Sequence, residues 1–419
     1  MFKSILSTAT FRQSQITLAG TLINGGLGIL FYFAMARFLG PLNLGLLTIS
    51  IATMTLIADI ADLGTNTGLV KFVAANLKDN KDKALRFLKL SLMVKFITWV
   101  VVLSIGFLLA PTIATNIFNK IELVIPLRLV MLGVGGVLLF SFATSALQAF
   151  QKYFIWSLLN VSTNFFRLVV ILVFFAGSYL NLTTSLLTYI TLPFFGFLFG
   201  LAFLPARKIF SAKNEFNLIG NFFKFNLWIA GFSIIAALSS RLDIFLSARL
   251  LSASEVGIYG LASQLVQIVP QIIGALGVVV SPKFAGFQNN KDMLTYFKKF
   301  QLLVLGVAAA GVLAIPFCVY LIPLIYGLEY TLSVGPFIVL LLATLVFLIS
   351  IPTHNSIIFY FGKPEVFLWL SLFHLFLVGI LGYFMISTYG IMGAAVTVFV
   401  GNIFNLLTPL IWFLNKIRK

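Results

Sequence analysis

The stretch of sequence that decides the fold is Ala36–Gly45, which reads Ala-Arg-Phe-Leu-Gly-Pro-Leu-Asn-Leu-Gly. It returns at an offset of 212 residues as Ala248–Gly257, which reads Ala-Arg-Leu-Leu-Ser-Ala-Ser-Glu-Val-Gly. Two further pairs keep this spacing to within one residue: Lys71-Phe72 with Lys283-Phe284, and Phe150–Lys152 with Phe361–Lys363. Three matches at one spacing indicate that the chain is an internal duplication.

The composition of the chain indicates a membrane protein. Of its 419 residues, 60% are apolar and only 9% are charged, whereas a soluble chain has about 25% charged residues. At about 20 residues for each crossing, the apolar segments predict about twelve transmembrane helices. The predicted spans are 15–38, 44–64, 88–110, 125–147, 156–177, 183–204, 225–247, 257–280, 302–323, 333–352, 365–386 and 391–413.

The cations of the chain are distributed by topology rather than on one basic face. The formal net charge is +17. Lys and Arg are concentrated in the even-numbered connections between the predicted spans and are nearly absent from the odd-numbered ones. The positive-inside rule therefore predicts that both termini are cytoplasmic, and anionic lipid rather than nucleic acid is the expected partner of this charge.

Duplication and span count together predict the fold class. We expect an all-α integral membrane protein of two six-helix lobes, 1–210 and 211–419, related by a pseudo-two-fold axis along the membrane normal, because each half holds an even number of spans. Such lobes would enclose a central cleft, as in a transporter. The sequence contains no P-loop and no metal-ligand cluster, and no Ser/His/Asp spacing suggests a triad. We therefore expect no enzyme activity and no cofactor beyond a coupling ion.

Several motifs resemble one family of transporters. Ala36–Gly45, then Asp62-Leu63-Gly64 and Lys71–Ala74, are similar to the opening of bacterial polysaccharide-transport flippases. Arg241–Asp243 and Val256–Tyr259 resemble the seventh and eighth spans of that family. These flippases belong to the multidrug/oligosaccharidyl-lipid/polysaccharide exporter superfamily.

The resemblance implies a function. Members of that family move undecaprenyl-diphosphate-linked oligosaccharides, such as O-antigen or capsule repeat units, from the inner to the outer leaflet of the bacterial cell membrane. It implies a lipid-linked oligosaccharide as cargo, membrane lipid as surroundings, and polysaccharide polymerase and assembly proteins as partners.

A diphosphate cargo needs buried cations and polar groups along its path. Arg167 lies near the middle of span five, and Thr163 and Asn160 lie one and two turns earlier, roughly on its face. A structural arginine satisfied by neighbouring groups is the alternative. Asn24, next to two glycines in span one, and Arg241 in span seven complete the predicted substrate-binding set.

The buried carboxylates allow two interpretations. Asp59 and Asp62, three residues apart on one face of span two, are either a coupling site for a proton or sodium ion or, for Asp62, the partner of Lys95 in span three. We favour the ion pair for Asp62. Asp243 is predicted to face away from Arg241, two residues earlier, and to meet a cation from another helix.

Three further residues are candidates for gating or coupling. Arg37 and Arg249 occupy corresponding positions of the repeat near the outer interface and are predicted to shape an outer gate. His374 lies mid-span, where a titrating imidazole would suit a proton relay; a hydrogen-bonding role is the alternative. We expect an ion gradient, of H⁺ or Na⁺, to drive transport.

Other functions stay open at this point. A drug/cation antiporter of the same superfamily would be expected to carry interior carboxylates rather than arginines. A peptidoglycan-precursor flippase usually has additional spans, and a membrane glycan polymerase or ligase usually has longer outside loops.

Overall fold

The computed structural model describes residues 9–213 and 217–418, and within these ranges the chain is almost entirely helical with no β-strand. The predicted cytoplasmic ends, Met1–Thr8 and Lys419, lie outside the described residues. In chain order the helices are α1 Ala9–Ala61, α2 Thr65–Asn76, α3 Lys81–Thr112, α4 Val124–Ala149, α5 Tyr153–Ala176, α6 Leu182–Ala202, α7 Ala206–Ser211, α8 Asn217–Ser239, α9 Leu242–Leu250, α10 Ala253–Leu265, α11 Ile268–Ala285, α12 Asn290–Leu313, α13 Ile315–Tyr326, α14 Val334–Asn355 and α15 Glu365–Arg418.

Ten helical runs in the described ranges are long and apolar enough to cross a membrane. The two longest, Gln15–Ala61 and Glu365–Ile417, have 47 and 53 residues, more than twice the about 20 that one crossing needs. Each passes through one non-helical glycine, Gly40 at φ 73° and Gly390 at φ 58°. Glycine adopts positive φ readily, so the helix direction changes at these points. Both glycines fall in predicted connections, while the total of twelve spans stays a prediction.

Large apolar side chains are exposed along the outer faces of several helices. In α5, Phe154 and Val173 are 64% and 62% exposed, and in α15 Phe373 and Ile380 are 61% and 62% exposed. A soluble monomer rarely exposes apolar patches of this extent. Together with the ten apolar helices, these faces confirm the prediction of an all-α, multi-pass membrane protein.

The seventh predicted span, 225–247, is not one helix. The helix α8 ends at Ser239 and α9 begins at Leu242, so that Arg241 lies in a turn between them. The backbone N–H of Arg241 donates to the carbonyl of Leu238 at 3.2 Å. Because this bond reaches three residues back instead of four, it tightens the last turn and ends the helix.

The first packing unit combines the described parts of 1–39 and 46–241. Its core is aromatic where α8 meets α2 and α3. The rings of Phe72 and Phe87 stack at 4.8 Å, and Phe222 of α8 lies 5.9 and 6.0 Å from them. Phe222 is completely buried, so α8 is an integral part of this unit.

The second packing unit combines 40–45 with the described part of 242–419. In it α14 packs along α15, and hydrogen bonds join α14 to its neighbours. Ser281 Oγ donates to Asn355 Oδ1 at 2.8 Å, and Gln301 Nε2 donates to the carbonyl of Ile349 at 3.2 Å.

The packing units differ in extent from the predicted lobes. The sequence repeat places the lobe boundary between residues 210 and 211, whereas contacts divide the chain after Arg241, because α8 shares the core of the first unit. The lobes and their pseudo-two-fold relation stay predictions. One element occurs in both halves, since a short 3-10 turn precedes both α4 and α14, at Ile121–Leu123 and Leu328–Ser333.

Candidate functional site

Arg167 of α5 is surrounded by aromatic rings rather than by carboxylates. Its guanidinium carbon lies 3.9 Å from the ring centre of Tyr189 in α6 and 5.8 Å from that of Phe31 in α1. Its Nη1 donates to Asn164 Oδ1, while its Nε is buried without a hydrogen-bond partner. Arg167 forms no ion pair with any residue in the described ranges. Since arginine stays charged, the site carries a cation that only dipoles and ring faces balance.

Two asparagines link the guanidinium to α1 through hydrogen bonds. Asn164 lies three residues before Arg167, on the same face of α5. Its Nδ2 donates to Asn24 Oδ1 of α1 at 2.5 Å. The chain Asn24–Asn164–Arg167 therefore joins α1 to α5, and the ring of Tyr189 joins them to α6. This arrangement orients the guanidinium, while its Nε stays buried without a hydrogen-bond partner in the described part of the chain.

The other two predicted neighbours of Arg167 do not contact it. Asn160 Nδ2 donates to the carbonyl of Trp156 at 2.8 Å, and Thr163 Oγ1 donates to that of Leu159 at 2.8 Å. Both side chains thus satisfy themselves on their own helix. Thr163 instead lines a cavity of about 200 Å³ between α5 and α6, together with Ser162, Phe166, Leu192, Phe195, Gly196 and Phe199.

Arg241 is already neutralised. Its Nη2 lies 2.8 Å from Asp59 Oδ2, its Nε donates to Thr55 Oγ1 at 3.1 Å, and its Nη1 donates to the carbonyl of Ala237 at 3.2 Å. The side chains of Arg241 and Asp59 are 23% and 48% exposed. These partners differ from those of Arg167, which are Asn164, Tyr189 and Phe31, so the two predicted phosphate ligands have different surroundings.

Asp62 pairs with Lys95, as predicted. The two side chains form an ion pair in which Lys95 is completely buried. Asp59 lies in the last turn of α1 and Asp62 in the turn that follows, and Asp59 pairs with Arg241 rather than with Lys95. The two carboxylates therefore have different partners.

Among the described residues Asp243 meets no cation, which corrects the prediction. It is 8% exposed, and its Oδ2 accepts a hydrogen bond from the hydroxyl of Tyr259 at 2.5 Å. Tyr259 belongs to α10 and is completely buried. One turn after Asp243, the buried hydroxyl of Ser247 has no partner. The turn at Arg241 separates Asp243 from α8, so the helical geometry that placed the two side chains does not apply.

Three candidates for gating or coupling remain. Arg37 is exposed just before Gly40, and Arg249 is exposed at the end of α9. His374 of α15 packs against Gly401, whose Cβ, if present, would lie 2.6 Å from the imidazole Nε2. The gating and coupling roles of these three residues stay predictions.

Sequence reasoning missed three members of the Arg167 cluster. The spacing of three residues between Asn164 and Arg167 was a usable signal. No signal in the sequence indicated Tyr189 or Phe31, because their contacts depend on the packing of α6 and α1 against α5. In the described ranges no group of three His, Cys, Asp or Glu side chains is placed to hold a metal ion.

The fold is similar to those of two solved membrane proteins, one of which is described as a member of the MOP superfamily. It is similar to an inward-facing multidrug-resistance MATE family transporter of that superfamily, with a TM-score of 0.76 at 14% identity over 97% of this chain and 98% of the other. It is also similar to the lipid II flippase MurJ in an inward closed conformation, with a TM-score of 0.79 at 13% identity over 96% of this chain and 87% of the other. At these identities the likeness shows the fold alone.

The sequence itself places the chain in a family. The profile of the polysaccharide biosynthesis protein family matches residues 11–288, about two thirds of the chain. The chain therefore belongs to the polysaccharide biosynthesis protein family. A comparison with curated protein sequences finds no match.

Proposed function

We propose that this protein is a flippase that moves undecaprenyl-diphosphate-linked oligosaccharide, such as O-antigen or capsule repeat units, from the inner to the outer leaflet by alternating access. Family membership supports a role in polysaccharide assembly. The likeness to a protein described as a lipid II flippase supports a lipid-linked cargo, since the two folds agree over most of both chains.

The single observation that carries the proposal is the unpaired charge of Arg167. A charge inside a membrane helix costs at least about 2.5–3.5 kcal/mol on insertion scales. Lys95 and Arg241 reduce this cost through carboxylate partners, and Arg167 does not. A guanidinium matches the geometry of phosphate oxygens, and Arg167 keeps a buried Nε for an acceptor. A diphosphate would supply the missing negative charge.

Arg241 would contribute at a different stage of transport. While it is paired with Asp59 it is a poor phosphate ligand, because a second anion would have to compete with the carboxylate. The pair is partly exposed, so exchange of partners is feasible. We propose that Asp59 releases Arg241 when cargo arrives, which makes this pair a gate rather than a permanent binding group.

A drug/cation antiporter is the second candidate. The likeness to a multidrug-resistance transporter and the 48% exposure of Asp59 favour it, because a half-exposed carboxylate can attract a cationic drug. The two functions predict opposite cargo charges. Arg167 repels a cation, and Asp59 is already neutralised by Arg241, so the observations favour the anionic cargo.

Reconstitution in liposomes tests the proposal. A fluorescent undecaprenyl-diphosphate oligosaccharide is placed in both leaflets, and a membrane-impermeant quencher reports how fast the inner pool reaches the outer leaflet. The test compares wild type, Arg167→Gln and Arg128→Gln. Arg128 is the matched control, because it too lies over an aromatic ring, at 4.8 Å from Phe107, with a buried, unpartnered Nε.

Loss of flipping in Arg167→Gln alone would support the assignment. Equal flipping by Arg167→Gln and wild type would overturn it. Export of a small fluorescent cation by wild type, without any movement of the diphosphate lipid, would instead establish the antiporter.

A further inference from the structure

The buried ammonium of Lys95 occupies a cage of oxygen atoms. It forms an ion pair with Asp62 Oδ1, and it donates to Asn66 Oδ1 at 3.0 Å and to Ser141 Oγ at 3.1 Å. An ammonium has three N–H donors, and all three are satisfied by oxygens. The side chain of Lys95 is completely buried, so water does not complete this shell.

The oxygens of the cage are held by groups other than Lys95. Thr65 Oγ1 donates to Asp62 Oδ1 at 3.0 Å, and the backbone N–H of Asn66 donates to Asp62 Oδ2 at 3.2 Å. Ser145 Oγ donates to Asn66 Oδ1 at 3.1 Å. Asp62 thus caps the start of α2 in the manner of an N-cap carboxylate. The cage is therefore preorganised by the fold and would persist without the lysine.

A further polar group lies unused along the same helix. Ser91 precedes Lys95 by one turn of α3, which places both on one face. Its hydroxyl is completely buried and has no hydrogen-bond partner. Buried hydroxyls normally find a partner. The helix face that carries Lys95 therefore also carries a buried hydroxyl that makes no hydrogen bond to any described residue.

The second half of the sequence repeat lacks the residues of this pair. At the offset of 212 residues, Asp62 corresponds to Gly274 and Lys95 corresponds to Val307. A buried ion pair is on average no more stabilising than apolar packing. A contribution to folding does not explain why the first half keeps it.

We propose that Asp62, Asn66 and Ser141 form a monovalent-cation site whose resident cation is the ammonium of Lys95. Oxygen donors suit hard cations, and one carboxylate balances one positive charge, which selects sodium over a divalent ion. The ammonium of Lys95 then acts as a covalently attached cation in a site that can also hold a free sodium ion. A sodium ion would take the place of the ammonium whenever Lys95 leaves the cage. This site is independent of the cargo assigned to Arg167.

Binding of radioactive sodium to the detergent-purified full chain tests the site. Wild type is compared with Lys95→Ala, which empties the cage, and with Lys95→Ala/Asp62→Asn, which empties it and removes the charge. Choline chloride keeps the ionic strength constant. Lys95→Ala is expected to bind sodium saturably, while wild type and the double variant bind at least about tenfold more weakly, because the ammonium or the lost charge prevents binding.

Sodium binding is measured independently of flipping, so each outcome tests the cation site alone. A folded Lys95→Ala variant that binds no sodium would overturn the proposal, as would equal binding by the double variant. Lys95→Ala that is monodisperse only in sodium would support it, because the ion then satisfies the buried carboxylate. If Lys95→Ala aggregates in every salt while the neutral double variant stays monodisperse, no free cation can replace the ammonium and the proposal is wrong.

Discussion

Gly45 and Gly257 cross with their backbones in direct contact. A Cβ on Gly45 would lie 1.7 Å from the carbonyl oxygen of Ala253, and a Cβ on Gly257 would lie 2.0 Å from that of Pro41. The two glycines hold corresponding positions in the repeat that begins at Ala36 and Ala248. Small residues permit such close helix approach in membranes. The duplicated stretch therefore packs against its own copy, and each copy supplies the glycine that the contact requires.

Gly45→Ala is expected to destabilise the protein by about 1–3 kcal/mol or more, the usual cost of forcing extra atoms into packed structure. Gly306→Ala is the matched control, because a Cβ there meets nothing within 4 Å. That variant should gain about 0.4–1 kcal/mol, since alanine restricts the unfolded chain. Denaturant titration in detergent, followed by tryptophan fluorescence, measures both. Equal stability of the two variants would show that the crossing opens at no cost.

The lack of a carboxylate beside Arg167 can be tested by adding one. Asn164→Asp places a negative charge at the oxygen that already accepts from Nη1 of Arg167. We expect the protein to fold and flipping to fall at least about tenfold, because the new ion pair competes with cargo phosphate. The liposome assay measures the rate.

Asn181→Asp controls for the added charge. Asn181 caps α6 and accepts from the backbone N–H of Thr184 at 2.9 Å, a role that aspartate fills equally well. It should flip at the wild-type rate. Unchanged flipping in Asn164→Asp would mean that the charge of Arg167 does not act on the cargo.

How well each feature could be predicted from the sequence depended on the physical interaction that determines it. Hydropathy located the apolar helices, because lipid imposes a fixed length on every crossing. The ion pair of Asp62 and Lys95 was predictable from matched depth and opposite charge. The contact of Asp243 with Tyr259 was not, because the helix was assumed to continue through Arg241. Tyr189 at Arg167 was unpredictable as well, since no local pattern specifies which ring of α6 faces α5.

Asp59→Asn is expected to strengthen binding of a lipid diphosphate. The substitution keeps the size of the side chain but frees Arg241, whose Nη2 now lies 2.8 Å from the carboxylate. If Arg241 becomes a second phosphate ligand, the affinity rises about tenfold, equivalent to about 1.4 kcal/mol. Tryptophan fluorescence titration with a short-chain lipid diphosphate measures the dissociation constant.

Two further variants make that result specific. Asp59→Asn/Arg241→Gln should lose the gain, since the freed cation is absent. Glu365→Gln, which breaks the exposed pair with Lys363 at 3.1 Å, should not change the affinity. Tighter binding in the double variant would contradict the assignment of Arg241 as a gated ligand.

Tyr259→Phe measures how strongly the hydroxyl of Tyr259 stabilises the buried carboxylate of Asp243. The Tyr259 hydroxyl donates to Asp243 Oδ2 at 2.5 Å in a region where both residues are buried. Removing it leaves a buried carboxylate short of a donor, which costs about 1–3 kcal/mol. Tyr360→Phe removes an exposed hydroxyl bond to Asn290 and should cost less than about 0.5 kcal/mol.

A double-mutant cycle with Asp243→Asn isolates the interaction between Tyr259 and Asp243. Because the amide needs no charge balance, Tyr259→Phe should cost clearly less in the Asp243→Asn background, and additive losses would show that the hydroxyl does not stabilise the carboxylate.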